Sequence, residues 1–266
     1  MRKLIGSLLT AFLLLAPLSP VQADSTVVRI VSPAHQTFTG EFRNDDLAQE
    51  LTPSGRLGQL VYVSASRSKI WVIDPALIDE VVAMTGEYKL ATDAEPLGSK
   101  IAVDWLTQLQ KVSRANEVVA LAYGNPDVAL ATSLAPSELK MYYTFGKSQL
   151  QVALGRIVRS EPDGGWSTGK SKLSPVLKKN YSDSRKALTR LSRAVEDPEL
   201  MLMRARLSRL LSPSLDKDSR DYFSYSAKVA VDAQVRKLRI NPGKYQVTTD
   251  SAKLPVKIII EFAVDV

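Results

Sequence analysis

The sequence predicts an α/β fold, in which β-α units build a partial barrel-like or open parallel sheet, followed by a helical segment and a small antiparallel β meander. Three observations carry this. Residues 70–73 and 118–123 are unbroken apolar runs, as expected for strands covered on both faces, and each ends beside a proline before an apolar-periodic segment. Residues 184–195 and 199–211 repeat leucine, valine and methionine at helical spacing, with cations between. The last portion, "AQVRKLRI", "KYQVTT" and "LPVKIIIEF", reads as three strands; they are joined by "NPGK", whose Pro242-Gly243 suits a type II turn, and by "DSAK".

The chain opens with Arg2 and Lys3, an apolar run over 8–15, and small residues at Val21 and Ala23. That is the three-part plan of a secretory signal peptide, predicting cleavage after Ala23. The run is too short for a bilayer, which needs ~20 apolar residues. Four parts are therefore expected: a signal peptide 1–23, an α/β domain 24–158, a basic helical segment 159–213 and a C-terminal segment 214–266 with the meander.

The first strand is "TVVRIV", residues 26–31, stopped by Ser32-Pro33. A polar stretch with a short helix near 45–51 comes next, then a helix over 56–64 whose second half, "LVYVSAS", fits a strand equally well. After the strand at 70–73, residues 75–85 place Leu77, Ile78, Val81 and Met84 on one helical side. A second helix over 99–112 has Ile101, Trp105, Leu109 and Val112 as its apolar stripe. The working order is β-α-(β)-α-β-α, with a helix opened by Asn125-Pro126-Asp127 after the strand at 117–123 and another over 137–154 that carries Gly146 inside it. The stretch "SEPDGGWSTGKSKLSP" gathers Gly, Ser and Pro without periodicity and marks a boundary.

Composition closes several chemistries. With Cys 0 there is no disulfide framework and no lipid-modified cysteine, and one histidine without cysteine cannot assemble a Cys/His zinc site. A Ser-His-Asp triad would depend wholly on His35, which sits in a weakly patterned stretch and reads as an ordinary loop residue. "GGWSTGKS" matches the phosphate-loop spacing from Gly164 to Ser171, but no buried strand precedes it and Pro175 interrupts the segment after it. No metal or cofactor is expected.

Two aspartates remain. At the carboxyl ends of parallel strands, Asp74 and Asp127 could act as acid and base on a glycosidic bond, where separations of ~5 to 9.5 Å decide the stereochemistry. Local chemistry explains the same residues more simply: Asp74 before Pro75, and Asp127 after Asn125-Pro126, are helix caps, so Asp74→Asn should cost little.

Charge is uneven. Residues 24–158 balance to −3, whereas 159–266 balance to +8. Lys186, Arg190 and Arg193 recur at i, i+4 and i+7, opposite Leu188, Leu191 and Val195, and form a candidate polyanion-binding stripe. On an exported protein such a stripe addresses anionic envelope polymers or a membrane surface, not nucleic acid. The bland account is a well-solvated helical face.

"WVIDPALIDEV", "DWLTQL", "VVALAYGNPDVALA" and "RINPGKYQVTTDSAKLPVKIII" together resemble a family of large exported actinobacterial envelope proteins of unknown function. Members carry an "ALDPALLDA"-like strand-helix junction, an "ALPYGDPD"-like strand and a late "YTLTSxxGxLPVTV"-like strand pair. The resemblance covers about half of the chain after residue 23, in separated blocks, and is to a shortened form, since members are longer and tend to end in a membrane helix. It implies a secreted or wall-facing protein with a barrel-like α/β portion and a β portion, often encoded near a flippase-like membrane protein of envelope synthesis. No activity comes with it. The functional expectation is a non-enzymatic envelope protein binding an anionic polymer, a membrane surface or a membrane protein of envelope synthesis. The alternatives are a carbohydrate-active hydrolase using Asp74 and Asp127, and a structural scaffold without a ligand.

Overall fold

The computed structural model describes residues 26–63, 68–92, 94–160, 165–166, 169–195, 197–237, 246–248 and 257–259. The expected signal segment and its cleavage site lie outside them. Strands β1 (Thr26–Ile30), β2 (Lys69–Ile73), β3 (Glu117–Ala120) and β4 (Arg159–Ser160) form one parallel sheet in chain order. Among the described residues the sheet is open, with β1 and β4 as its edges, so the α/β expectation holds in its open form.

Each crossover holds two helices: α1 (Asp46–Leu51) and α2 (Arg56–Tyr62), then α3 (Pro75–Thr85) and α4 (Ser99–Ser113), then α5 (Val128–Leu134) and α6 (Pro136–Leu154). "LVY" is therefore helical. The optional strand between α3 and α4 shrinks to an isolated bridge of Leu90 to Phe42. Register puts Val28, Trp71 and Val118 on one sheet face with Ile30, Ile73 and Ala120, where they pack with Leu77, Val81, Trp105 and Leu109. Val72 and Val119 lie on the other face and pack with Ile70 and Trp166. Burial on both faces is why these strands lack polar alternation.

Gly146 does not break α6; it lets the helix approach the sheet. A Cβ there would lie 3.0 Å from both Pro75 Cγ and the Tyr123 nitrogen.

The sheet and the core continue through the change of charge at residue 159. After β4 come α7 (Pro175–Ala194), α8 (Pro198–Arg206), a 3-10 turn (Leu207–Leu211) and α9 (Lys217–Lys237). Pro175 starts a helix instead of interrupting one: Ser174 caps it by accepting from the Leu177 nitrogen, and Pro175 takes the first position, where no N–H is needed. Glu138 of α6, almost fully buried, accepts two hydrogen bonds from Arg204 of α8 at 2.7 Å each. Beside it the hydroxyls of Tyr142 and Tyr181 meet at 3.1 Å. One buried cluster thereby runs from Ala34 and Phe38 through Tyr123 and Tyr142 to Leu188, Met203, Phe223 and Val231.

The C-terminal expectation needs correction. Residues 233–237 of the run read as a first strand are helical, because Phe223, Ala227 and Val231 repeat at four-residue spacing on the core side of α9 and carry the helix onward. The other two runs give β5 (Gln246–Thr248) and β6 (Lys257–Ile259), paired antiparallel. A three-stranded meander is thus not formed among the described residues.

Candidate functional site

In open parallel sheets, ligands bind outside the carboxyl ends of the strands where the strand order reverses; in this sheet the order follows the chain throughout, and side chains draw the carboxyl ends together. Here β1 delivers Ser32 and His35 to that end, β2 delivers Asp74, and the turn after β3 delivers Gly124 and Asp127.

Asp74 caps α3. Its Oδ1 accepts from the nitrogen of Ala76 at 3.0 Å and from that of Gly124, in the neighbouring turn, at 2.9 Å. From the far side the 3-10 turn inserts Arg209, only 3% exposed. Arg209 Nη1 donates to the Ser32 carbonyl at 3.2 Å and to Asp74 Oδ2 at 3.4 Å, and Nη2 donates to Glu80 Oε1 at 3.0 Å. Glu80 Oε2 in turn accepts from the His35 nitrogen at 3.2 Å. Gly124, at φ 75°, is what admits this insertion: a Cβ there would meet Ser208 Oγ at 2.4 Å. Asp127 caps α5 through Leu130 at 3.1 Å, and its second oxygen accepts from the Ser171 nitrogen at 2.8 Å. Its own nitrogen donates to the Leu211 carbonyl at 2.8 Å. The space outside the carboxyl ends is filled from within, by the chain's own 3-10 turn and the segment leading into α7.

The electrostatics come from that filling. Burial pushes the Asp74 carboxyl above its ordinary range, with Arg209 opposing. Burial also raises Asp79 to about 7, although a hydrogen bond from Tyr123 and the nearby Arg206 favour its charged form. Desolvation works against the Arg209 charge, but Glu80 and Asp74 more than offset it.

His35 does meet a serine: its Nε2 lies 3.0 Å from Ser32 Oγ. Ser32 Oγ also lies 2.8 Å from Arg56 Nη2, which can only donate, and 3.0 Å from Glu50 Oε2. A hydroxyl has one proton to give, and a carboxylate can only accept, so that proton goes to Glu50 and His35 donates to Ser32. Burial lowers the His35 pKa, against the pull of Glu80 and Glu50. The imidazole is a structural donor here, not the base of a nucleophile pair.

Among the described residues, the space around Arg209 is small. The cavity beside Arg209, lined by Gln36, Thr37, Tyr123, Arg206 and Phe223, measures about 10 Å³, enough for roughly one water. A groove of about 710 Å³ lies elsewhere, along α6 beside Lys140, Tyr143 and Lys147. Neither is lined by Asp74 or Asp127. The phosphate-loop spacing also lacks its context, since the helix begins at Pro175 and the Ser171 nitrogen already serves Asp127. Among the described residues no group of three His, Asp or Glu side chains is placed to hold a metal.

The α7 stripe is different. Lys186, Arg190 and Arg193 are all exposed, Leu188 and Leu191 are buried beneath them and Val195 is half-buried. None of the three makes an ion pair among the described residues, whereas Lys179 pairs with Asp183 at 2.6 Å one turn earlier.

Sequence reading brings out Asp74 and Asp127 but not the residues that engage them. Glu80 had a signal, a carboxylate within the apolar stripe of α3. Arg209, a lone cation in "LSRLLSP", had none. Comparison with protein-family models, with curated proteins and with solved structures finds no match for this chain. What the fold and site define is a parallel α/β protein in which the carboxyl ends of the strands are packed against its own 3-10 turn through Asp74, Asp127 and Arg209.

Proposed function

We propose that the protein is exported to the cell envelope, is not an enzyme, and holds an anionic envelope surface through Lys186, Arg190 and Arg193. The observation that carries this is the exposed row of three cations on α7, none of which makes an ion pair among the described residues, in contrast to buried Arg209, which is held by Asp74 and Glu80. Like charges at that spacing mildly destabilise a helix, so the fold has no need of them. The signal-like segment 1–23, with cleavage after Ala23, and the resemblance to exported envelope proteins agree with it. The surface is a wall polymer, acidic lipid or a membrane protein of envelope synthesis. Among the described residues no helix is long and apolar enough to cross a membrane.

Glycoside hydrolysis by Asp74 and Asp127 is the weaker reading. It requires two carboxylates on one substrate-sized hollow, and both are committed to backbone donors, Asp74 to Arg209 as well.

The test compares two triple variants of equal net charge on dextran sulfate at low salt. One replaces Lys186, Arg190 and Arg193 by Glu; the other replaces the exposed Lys89, Lys111 and Arg114 by Glu. The stripe variant should elute far earlier than the control, with the difference fading as salt screens exposed charges over ~8 Å and less. Equal elution of the two would reduce the stripe to ordinary net charge. The intact mass of exported protein checks cleavage after Ala23.

A further inference from the structure

α7 and α9 lie side by side and run in the same direction: Arg220 of α9 donates to the Lys172 carbonyl just before α7, then Asn180 bonds Ser224, and Lys228 lies near Asp183, in ascending order. Their last turns therefore share an end, which gathers Arg190 and Arg193 with the exposed Arg236 and Lys237. Towards its start, level with Asn180 and Asp183 and so before the cation row, α9 turns an unexpected face outward. Tyr222, Tyr225 and Val229, at i, i+3 and i+7, are 51%, 68% and 49% exposed, while Phe223, Ala227 and Val231 fill the core side. The acidic residues of this face are partly neutralised within it, Asp232 by Lys228 at 2.7 Å and Asp183 by Lys179. Of the remaining ones, Asp218 and Asp221 lie in the first turns of α9, the turns that carry Tyr222 and Tyr225, and Asp197 and Glu199 follow the end of α7.

Resting on the reading above, we infer that this two-helix face docks on a lipid bilayer bearing acidic headgroups, with the cations over the phosphates and Tyr222, Tyr225 and Val229 entering the headgroup layer. A soluble acidic polymer is met by cations alone and gains nothing from a neighbouring aromatic and aliphatic row. A bilayer offers both layers in that order, anionic outside and apolar beneath, and tyrosine, with an apolar ring and a polar tip, suits the boundary between them. Each cation close to an acidic leaflet raises partition about fivefold, so losing three costs about a hundredfold.

The absence of cysteine makes the test clean. Single cysteines at Tyr225→Cys, Val229→Cys and, on the exposed side of α4, Thr107→Cys carry an environment-sensitive fluorophore in the full chain. Vesicles are phosphatidylcholine alone or with phosphatidylglycerol. The expected result is a blue shift at 225 and 229 with acidic vesicles only and none at 107; the stripe reversal should lower acidic-vesicle partition by at least about a hundredfold. Co-sedimentation without a shift at 225 and 229 would overturn the bilayer inference and leave the anionic-surface reading standing. So would retention on dextran sulfate without any vesicle binding. Equal behaviour of the stripe and control triples on both supports would remove both.

Discussion

At the carboxyl end of the sheet, Arg209 places its donors on Ser32, Asp74 and Glu80, whereas on the outer face of α7 Arg190 and Arg193 have no carboxylate partner among the described residues. The same side chain serves two physical ends. Inside, a guanidinium is tolerable only when its fork is matched by anions and carbonyls, and the matching packs the carboxyl end of the sheet against the 3-10 turn. Outside, an unmatched guanidinium costs little because water solvates it, and it stays available to a partner. The carboxyl end of the sheet is therefore occupied, and the available chemistry lies on the helical layer.

That contrast breaks first at Arg209. Arg209→Ala should leave Asp74 and Glu80 buried without their cation and cost about 3–5 kcal/mol of stability, against about 0.5 kcal/mol or less for Arg190→Ala. Urea unfolding of both variants measures the gap. A loss under about 1 kcal/mol at Arg209 would mean that this end of the sheet is held by packing alone.

Asp79 gives the next largest effect, read through pH. Its folded pKa is raised to about 7, against about 3.9 unfolded, so from about pH 4 to 7 the folded chain keeps a proton that the unfolded chain has lost. The resulting stability is fully present below about pH 4 and is lost as pH rises through about 7, by roughly 2–4 kcal/mol. Asp79→Asn should remove that decline. His35, whose pKa is lowered, acts in the opposite sense below about pH 6.5 and is common to both proteins, so the difference between them isolates Asp79. Parallel curves from pH 5 to about 8 would show that Asp79 is charged in the fold.

A smaller effect revises the expectation for Asp74→Asn. As a helix cap the exchange is nearly neutral, but here it also takes an anion from buried Arg209, so about 1–3 kcal/mol should be lost. Asp197, which caps α8 through Glu199 at 2.8 Å with no cation of this kind, provides the neutral comparison.

How far the sequence discloses this depends on how local each cause is. The strand-to-helix junction at Asp74-Pro75 is written in adjacent residues, and α3 begins where its cap says. Ser174-Pro175 uses the same device, but inside a Gly- and Ser-rich stretch its proline reads as a breaker, and the start of α7 is missed. The end of α9 looks like a strand because Val235 follows alternating polar neighbours, while the pattern that decides the matter, Phe223, Ala227 and Val231, lies upstream. The packing at the carboxyl end is beyond any local reading, since Arg209 and Asp74 are 135 residues apart. The α7 stripe is legible because its three cations and the leucines beneath them share one helix.

The smallest effect on stability should come from the residues that matter most for binding. Replacing Lys186, Arg190 and Arg193 by Glu touches no hydrogen bond or ion pair among the described residues and exchanges one like-charge row for another of similar cost, with Asp183 as a new acidic neighbour of residue 186, so unfolding should shift by about 0.5 kcal/mol or less. Surface binding should fall at least about a hundredfold in the same protein. That combination is what separates a binding face from a structural one, because a residue held by the fold loses stability and binding together. Thermal melts of the triple variant, beside its elution from dextran sulfate and its partition on acidic vesicles, put the two readouts on one sample. A loss of about 2 kcal/mol or more would place these side chains with Arg209, among the charges that the fold needs.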